Sequence, residues 1–186
     1  MTKKVLKGKK VYLREPEESD CDEYIALAHK SEKFHRGLVK MAKTPEGFLK
    51  FLERSRHETN AGFFIIRPAD NAIAGTVMLS QIFYGALCSA YLGYWLGAGF
   101  TGQGLMTEAV EMIVRHAFKD LKLHRIEANI QPENTASINV VKRAGFIKEG
   151  FSRKYLKVGG RWRDHERWAI IREDWRETGA QASRLH

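Results

Sequence analysis

Long hydrophobic runs, clustered cysteines and metal-ligand spacings are what this sequence lacks. No apolar stretch approaches the roughly 20 residues that cross a bilayer, so no membrane-spanning helix is expected. The opening residues MTKKVLKGKK are basic and carry no apolar segment, so no secretory signal is expected either. Cys21 and Cys88 stand far apart, and the expectation is free thiols in a reducing cytoplasm. His29, His35, His57, His116 and His124 form no H-E-x-x-H pattern, so no metal site is expected. Acidic residues are in the minority: Asp+Glu 22 against Lys+Arg 31 leaves a net charge of +9. That excess suits an anionic partner (a phosphorylated cofactor, an acidic peptide or RNA) without choosing among them.

What is present is ordinary globular material. The 186 residues are 44% hydrophobic and 28% charged, enough for one domain with its own core. Strand-like and helical runs alternate from about Val5 to Trp175 without repeat or linker. The expectation is therefore a single mixed α/β domain over residues 1–175, with residues 176–186 as a flexible tail. Residues 11–14 read as the first strand, and Ser19 or Asp20 as the cap of a helix carrying Tyr24, Ile25, Leu27 and Ala28. Thr44-Pro45 starts another helix, with Phe48, Leu49, Phe51 and Leu52 on one face. Residues 63–66 and Ala72–Phe83 read as strands joined by the turn Pro68-Ala69-Asp70-Asn71, and Ser89–Leu96 as a further strand. Ile126, Ala128 and Ile130 alternate with Glu127, Asn129 and Gln131 as a half-buried strand. Residues 150–158 and 162–171 flank the hairpin turn Gly159-Gly160.

The most informative stretch is residues 93–109. An apolar strand runs into Gly97, Gly99, Gly102 and Gly104, and then into a helix whose Leu105, Ala109, Met112, Ile113, His116 and Ala117 keep helical spacing. Glycines bring bare N–H groups close to a ligand, and a helix N-terminus adds orphan donors and partial positive charge, so the junction suits a pyrophosphate. It is not a P-loop, because the chain has no Gly-Lys followed by Ser or Thr. GAGFTG at 97–102 fits G-x-G-x-x-G by letter but opens no helix directly. A glycine-rich connection without a ligand is the competing reading.

A second segment, NTASINVVKRAGF at 134–146, follows after one strand. Together the two segments resemble the acyl-CoA-binding motifs of the GNAT superfamily of N-acetyltransferases. More narrowly, AYLGYWL, GQGLMTEAV, HRIEANIQPENTASINVVKRAGFIKEG and RDH are similar to the ribosomal-protein-alanine N-acetyltransferase (RimJ/RimL-like) branch. The resemblance implies a mixed, mostly antiparallel sheet flanked by helices. The family's fourth and fifth strands, here Ser89–Leu96 and residues 125–131, would splay apart to admit the pantetheine arm of acetyl-CoA. It places Trp95, Leu96 and Gly97 beside the acetyl and pantetheine groups, where a backbone N–H suits an oxyanion. Thr101, Gly102, Gln103, Gly104, Leu105, Met106 and Thr107 would form the pyrophosphate loop, with Thr101 departing from the usual Gln or Arg. Arg143 would reach the nucleotide phosphates and Asn134 the pantetheine amide.

Two catalytic candidates follow. Ser137 is placed near the sulfur as proton donor, because Val141 stands where many relatives have tyrosine; local capping of the helix is its competing role. Glu127 is the strand-borne carboxylate considered as a base, against a plain ion pair, and Leu156 stands where one scheme of this branch has a glutamate. Glu108 suits the helix dipole. Tyr84, Tyr91, Asp164 and His165 are the candidates for lining or buttressing the substrate site. The implied reaction is direct acetyl transfer to the N-terminal alanine of a ribosomal protein. An α-amine, with pKa about 8, is partly neutral at pH 7, whereas a lysine amine near 10.4 is not. A basic run at Lys3, Lys4, Lys7, Lys9 and Lys10, and another at Arg153, Lys154, Lys157, Arg161 and Arg163, would steer the enzyme to rRNA if they share a surface. The alternatives are acetylation of a polyamine or aminoglycoside, or a ribosome-binding assembly protein on an acyl-CoA fold. Either a monomer or a homodimer is compatible with the sequence.

Overall fold

A computed structural model describes residues 5–175, so Lys3, Lys4 and the expected tail at 176–186 lie outside the described residues. Its frame is an eight-stranded sheet of order β1-β2-β3-β4-β5-β6-β8-β7. The strands are β1 (Val5–Lys7), β2 (Tyr12–Arg14), β3 (Ala61–Arg67), β4 (Ala72–Phe83), β5 (Ser89–Leu96), β6 (Arg125–Ile130), β7 (Ile147–Val158) and β8 (Arg161–Ile171). Helices α1 (Cys21–Ser31), α2 (Pro45–Arg56), α3 (Leu105–Lys119) and α4 (Thr135–Arg143) cover its two faces. Every neighbouring pair is antiparallel except β5 and β6, which are parallel.

Each face buries its own core. β3 shows why: in AGFFIIR the alternation sends Phe63 and Ile65 to one cluster and Phe64 and Ile66 to the other. The first cluster lies under α3, which buries Leu105, Met106, Ala109, Val110, Ile113 and Ala117. The second, under α1 and α2, centres on Tyr24, whose ring lies 5.3 Å from Phe48, 5.1 Å from Phe51, 5.7 Å from Phe64 and 5.7 Å from Trp95. Aromatic pairs of this kind add about 0.5–1.5 kcal/mol each beyond their area.

Helix α2 starts as its sequence predicts: Thr44 Oγ1 accepts from Gly47 N at 3.1 Å, and Pro45 opens the first turn. Its inward face is Phe48, Phe51, Leu52 and Ser55, while Leu49 points outward and is 53% exposed. The α1 cap also differs from expectation. Asp20 sits at the cap position after a 3-10 turn at Glu18–Asp20, but its carboxylate holds Arg14 at 2.6 and 2.8 Å and accepts from Glu17 N at 2.7 Å. A bidentate guanidinium is a stronger partner than a single helix amide. The strand read at 11–14 is the second, preceded by β1, and β7 begins at Ile147 rather than Gly150, with a register shift between Lys148 and Gly150. In the shift, Glu149 turns to Arg125.

Among the described residues no helix is long and apolar enough to cross a membrane. Nor do three His, Cys, Asp or Glu side chains gather there as a metal site. Of the two basic runs, Lys7, Lys9 and Lys10 sit on β1 and the turn after it, and Arg153, Lys154, Lys157, Arg161 and Arg163 on the β7–β8 hairpin at the opposite edge of the sheet.

Candidate functional site

Strands β5 and β6 pair only where they begin: Ser89 with Arg125, Ala90 with Ile126 and Tyr91 with Glu127. Beyond Tyr91 the ladder stops, while β5 stays paired with β4 through Leu96 and β6 with β8 through Ile130. The parted ends open a cleft of about 610 Å³. Its walls come from β5, β6, the start of α3, α4 and the segment after α1.

The loop into α3 presents backbone. Gly102 (φ 76°) and Gly104 (φ 77°) take the left-handed conformation, which a β-branched residue resists. Gly104 occupies the cap position of α3 with no side chain capping the helix, so the amides of the first turn keep their donors for a ligand. Thr101, Gly102, Gly104, Leu105, Met106 and Thr107 line the cleft. Gln103 does not; its side chain turns back to the Gly99 carbonyl at 3.4 Å. The Thr101 hydroxyl likewise donates locally, to the Ala98 carbonyl at 3.1 Å. Lys10 Nζ donates to the Gln103 carbonyl at 3.2 Å, which brings an ammonium to the loop. Glu108, considered from sequence only as a dipole partner, accepts from the Lys9 and Lys10 amides at 2.6 and 2.8 Å and so fastens the β1–β2 turn to α3.

Helix α4 forms the opposite wall. Asn134 Oδ1 accepts from Ser137 N at 3.2 Å as the helix cap, and Asn134, Ser137 and Arg143 all line the cleft. The cap uses the backbone of Ser137, and the Ser137 side chain meets the Tyr94 hydroxyl at the cleft wall. Val141 is fully buried and completes the α3-side core. Tyr94 crosses the opening from β5: its hydroxyl donates to the Ser137 carbonyl at 3.1 Å, and burial pushes that phenol up, so it stays protonated. Tyr94 was not singled out from the sequence, although its place in the aromatic strand is visible there.

On the α1 side the cleft meets side chains. Trp95 packs edge-on to His35, ring centres 5.8 Å apart, and the His35 Nε2 atom lies 2.8 Å from the Leu96 carbonyl. Because a carbonyl only accepts, Nε2 carries the hydrogen. Burial pushes the His35 imidazole down, which favours the neutral ring. From the other strand, Gln131 Nε2 donates to the Gly37 carbonyl at 2.9 Å and to the Leu38 carbonyl at 3.4 Å. His35 to Leu38 thus bridge the two parted strands. Asn129 Oδ1, Gln131 Oε1 and Arg163 Nε are buried with no partner among the described residues.

His165 is buried, lines the cleft and has Nδ1 3.0 Å from the Arg163 carbonyl. Not all of the other candidates belong to the lining. Leu96 and Trp95 belong to it, but Gly97 donates to the Ala74 carbonyl at 2.8 Å and lies against Leu27. Glu127 is bonded to Arg125 at 2.8 Å, which also holds Glu149. Tyr91 shares a hydrogen bond with Tyr155, Tyr84 is exposed beyond β4, and Asp164 accepts from Lys154 N at 2.7 Å. His35, Asn129 and Gln131 were missed as site residues. Period-2 alternation does place Asn129 and Gln131 on one face, but nothing local marks His35.

A long thioester carrier fits these residues. The open strand edges offer amide hydrogen bonds, and the uncapped α3 terminus, Lys10 and Arg143 offer charge for phosphates. Comparison with known proteins agrees. The acetyltransferase (GNAT) domain family matches residues 10–147. The chain is 40% identical over 178 residues to the probable N-acetyltransferase YjcK of Bacillus subtilis, covering 91% of this chain and 98% of that one. It is 36% identical over 121 residues to the [ribosomal protein uS5]-alanine N-acetyltransferase of Escherichia coli, covering 64% and 62%. Among solved structures, Mycobacterium smegmatis RimJ in complex with CoA-disulfide superposes with a TM-score of 0.83 at 29% identity, covering 92% of this chain and 88% of that one. An eight-stranded sheet parted at its one parallel pair, with a glycine-led helix aimed at the gap, is thus joined to sequence kinship over most of the chain: the protein belongs to the GNAT acetyltransferase family.

Proposed function

We propose that the protein uses acetyl-CoA to acetylate an N-terminal α-amine, that of an alanine-initiated ribosomal protein. When bound, acetyl-CoA supplies an activated acetyl thioester. The first-turn amides of α3, from Leu105 to Thr107, hold its diphosphate with Lys10 and Arg143 nearby, and Asn134 offers its remaining amide hydrogens to the pantetheine arm. The edge of β5 left bare after Tyr91 supplies N–H groups for the oxyanion. Ser137 Oγ–H donates to the leaving sulfur.

The observation that carries the choice of acceptor is electrostatic. Among the described residues Glu133 alone of the carboxylates lines the cleft, beside His35, His165 and Arg143. A polyamine or aminoglycoside brings several positive charges and needs several carboxylates to offset their desolvation. An α-amine with pKa about 8 loses its charge near neutral pH and enters as a neutral group. The 36% identity to the uS5-alanine acetyltransferase supports the same choice. The described parts of the basic runs lie at opposite edges of the sheet, which supports a peptide terminus over rRNA as the recognised element.

The test is thiol release from acetyl-CoA with a panel of acceptors. Peptides beginning with free alanine are expected to turn over, while the same peptides blocked at the N-terminus are not. Turnover of spermidine or an aminoglycoside without turnover of the free peptides overturns the proposal.

A further inference from the structure

Three residues that line the cleft, His35, Asn129 and Gln131, carry hydrogen-bond acceptors with no donor among the described residues. The His35 ring donates through Nε2 to the Leu96 carbonyl, which leaves the Nδ1 lone pair unused. That ring is only 9% exposed and lines the cleft. Gln131 is 4% exposed and spends its amide hydrogens on the Gly37 and Leu38 carbonyls, so its buried Oε1 has no partner. Asn129, two residues earlier with the same alternation, also lines the cleft and has a buried oxygen, Oδ1, without a partner. Buried acceptors left unpaired are destabilising, so these groups are complete only when a donor-rich ligand arrives.

We propose that these three side chains form the acceptor-amine subsite: the amide oxygens of Asn129 and Gln131 hold the N–H groups of the incoming amine, and His35 Nδ1 takes the proton it loses. The assignment rests on the reading above that the acceptor is an α-amine. Neutral amide oxygens accept from a neutral amine without stabilising a cation as carboxylates would. The bridge from His35 to Leu38 fixes the base against Leu96 and the amide of Gln131 against the same segment, so both move as one piece. In the step itself the amine nitrogen forms its bond to the thioester carbonyl carbon, and the carbon–sulfur bond breaks with its electron pair leaving on sulfur. The amine proton passes to His35 Nδ1 and from there to solvent.

The ionisable surroundings of His35 suit a neutral base. On its own segment Glu32 is paired with Lys43. Behind Trp95 stands the buried Tyr24, and Arg163 reaches toward Gly37. Glu133, Arg143 and His165 share the cleft, and Tyr94 is committed to Ser137. Burial itself lowers the imidazole pKa, so the ring is unprotonated at neutral pH.

The experiment compares wild type with His35→Gln, whose side-chain N–H still reaches toward Leu96, and with Asn129→Ala. Rates are measured with an alanine-initiated peptide across the pH range, and peptide affinity by calorimetry on enzyme saturated with CoA. His35→Gln is expected to lower kcat about 100-fold and to abolish the loss of rate below the imidazole pKa, with peptide affinity nearly unchanged. Asn129→Ala is expected to weaken the peptide about tenfold, with a smaller effect on kcat. Unaltered acetyl-CoA affinity in both variants shows that the fold and the donor cleft survive. A His35→Gln enzyme with wild-type kcat and pH profile overturns the base assignment, and an Asn129→Ala enzyme with wild-type peptide affinity removes that amide from the subsite. If spermidine turns over and the peptide does not, the proposed substrate falls, and the same His35→Gln comparison on spermidine decides the role of the ring.

Discussion

The two sides of the cleft recognise by different means. Around α3 and α4 the site offers main chain: left-handed Gly102 and Gly104, uncapped amides and a bare strand edge. Around the α1 side it offers side chains brought from distant parts of the chain, with His35, Asn129, Gln131 and His165 lying on three separate stretches. A backbone cradle suits a ligand that never changes, because any side chain that keeps the turn will serve. A side-chain pocket suits a partner that varies between family members, because one substitution alters it without moving the cradle.

The sharpest way to break this contrast is Gly104→Val. A β-branched residue at φ 77° strains the loop, and its Cβ would approach Lys10 Nζ to 3.1 Å. Acetyl-CoA affinity measured by calorimetry is expected to fall about 100-fold, a loss of some 2.7 kcal/mol. Next in size, Gln131→Leu removes both bonds to the Gly37 and Leu38 carbonyls. Denaturant melts should show a loss of about 1–3 kcal/mol and the peptide KM should rise, while acetyl-CoA affinity stays put. If Gln131→Leu weakens acetyl-CoA as much as peptide, the two sides are not independent. Lys10→Ala removes the ammonium at the loop, and an increase of about threefold in the acetyl-CoA dissociation constant is expected, shrinking at high salt. The smallest effect is on stability against pH. The folded His35 pKa lies below its unfolded value, so the unfolded chain binds more protons in acid. The contribution of the neutral ring is therefore present above the unfolded pKa and lost as pH falls through the window between the two. Melts of His35→Gln should lack that part of the acid loss.

The same contrast explains what could be read from the sequence. The succession of strands and helices along the chain, the Thr44-Pro45 helix start and the glycine loop are local matters, in which a few adjacent residues decide the backbone. The parallel pair that parts after Tyr91 was inferred by resemblance, since no periodicity reports where a ladder ends. Two expectations about side chains went astray where another partner outweighed a local preference. Asp20 gives up the helix cap for the Arg14 guanidinium, and Leu49 turns outward because Phe48, Phe51 and Leu52 already fill the face against Tyr24 and Phe64. Glu127 follows the same logic: its alternation is as read, and Arg125 beside it claims the carboxylate. His35 stayed hidden because its meaning depends on the Leu96 carbonyl, 61 positions away.

Glu108 grips the main chain of Lys9 and Lys10 with one carboxylate from the first turn of α3. The outermost edge of the sheet is thereby moored to the terminus proposed to hold the diphosphate. Deuterium uptake at these two amides becomes a gauge of loading: whatever quiets the start of α3 slows exchange in the turn after β1, far along the chain from the glycine loop itself.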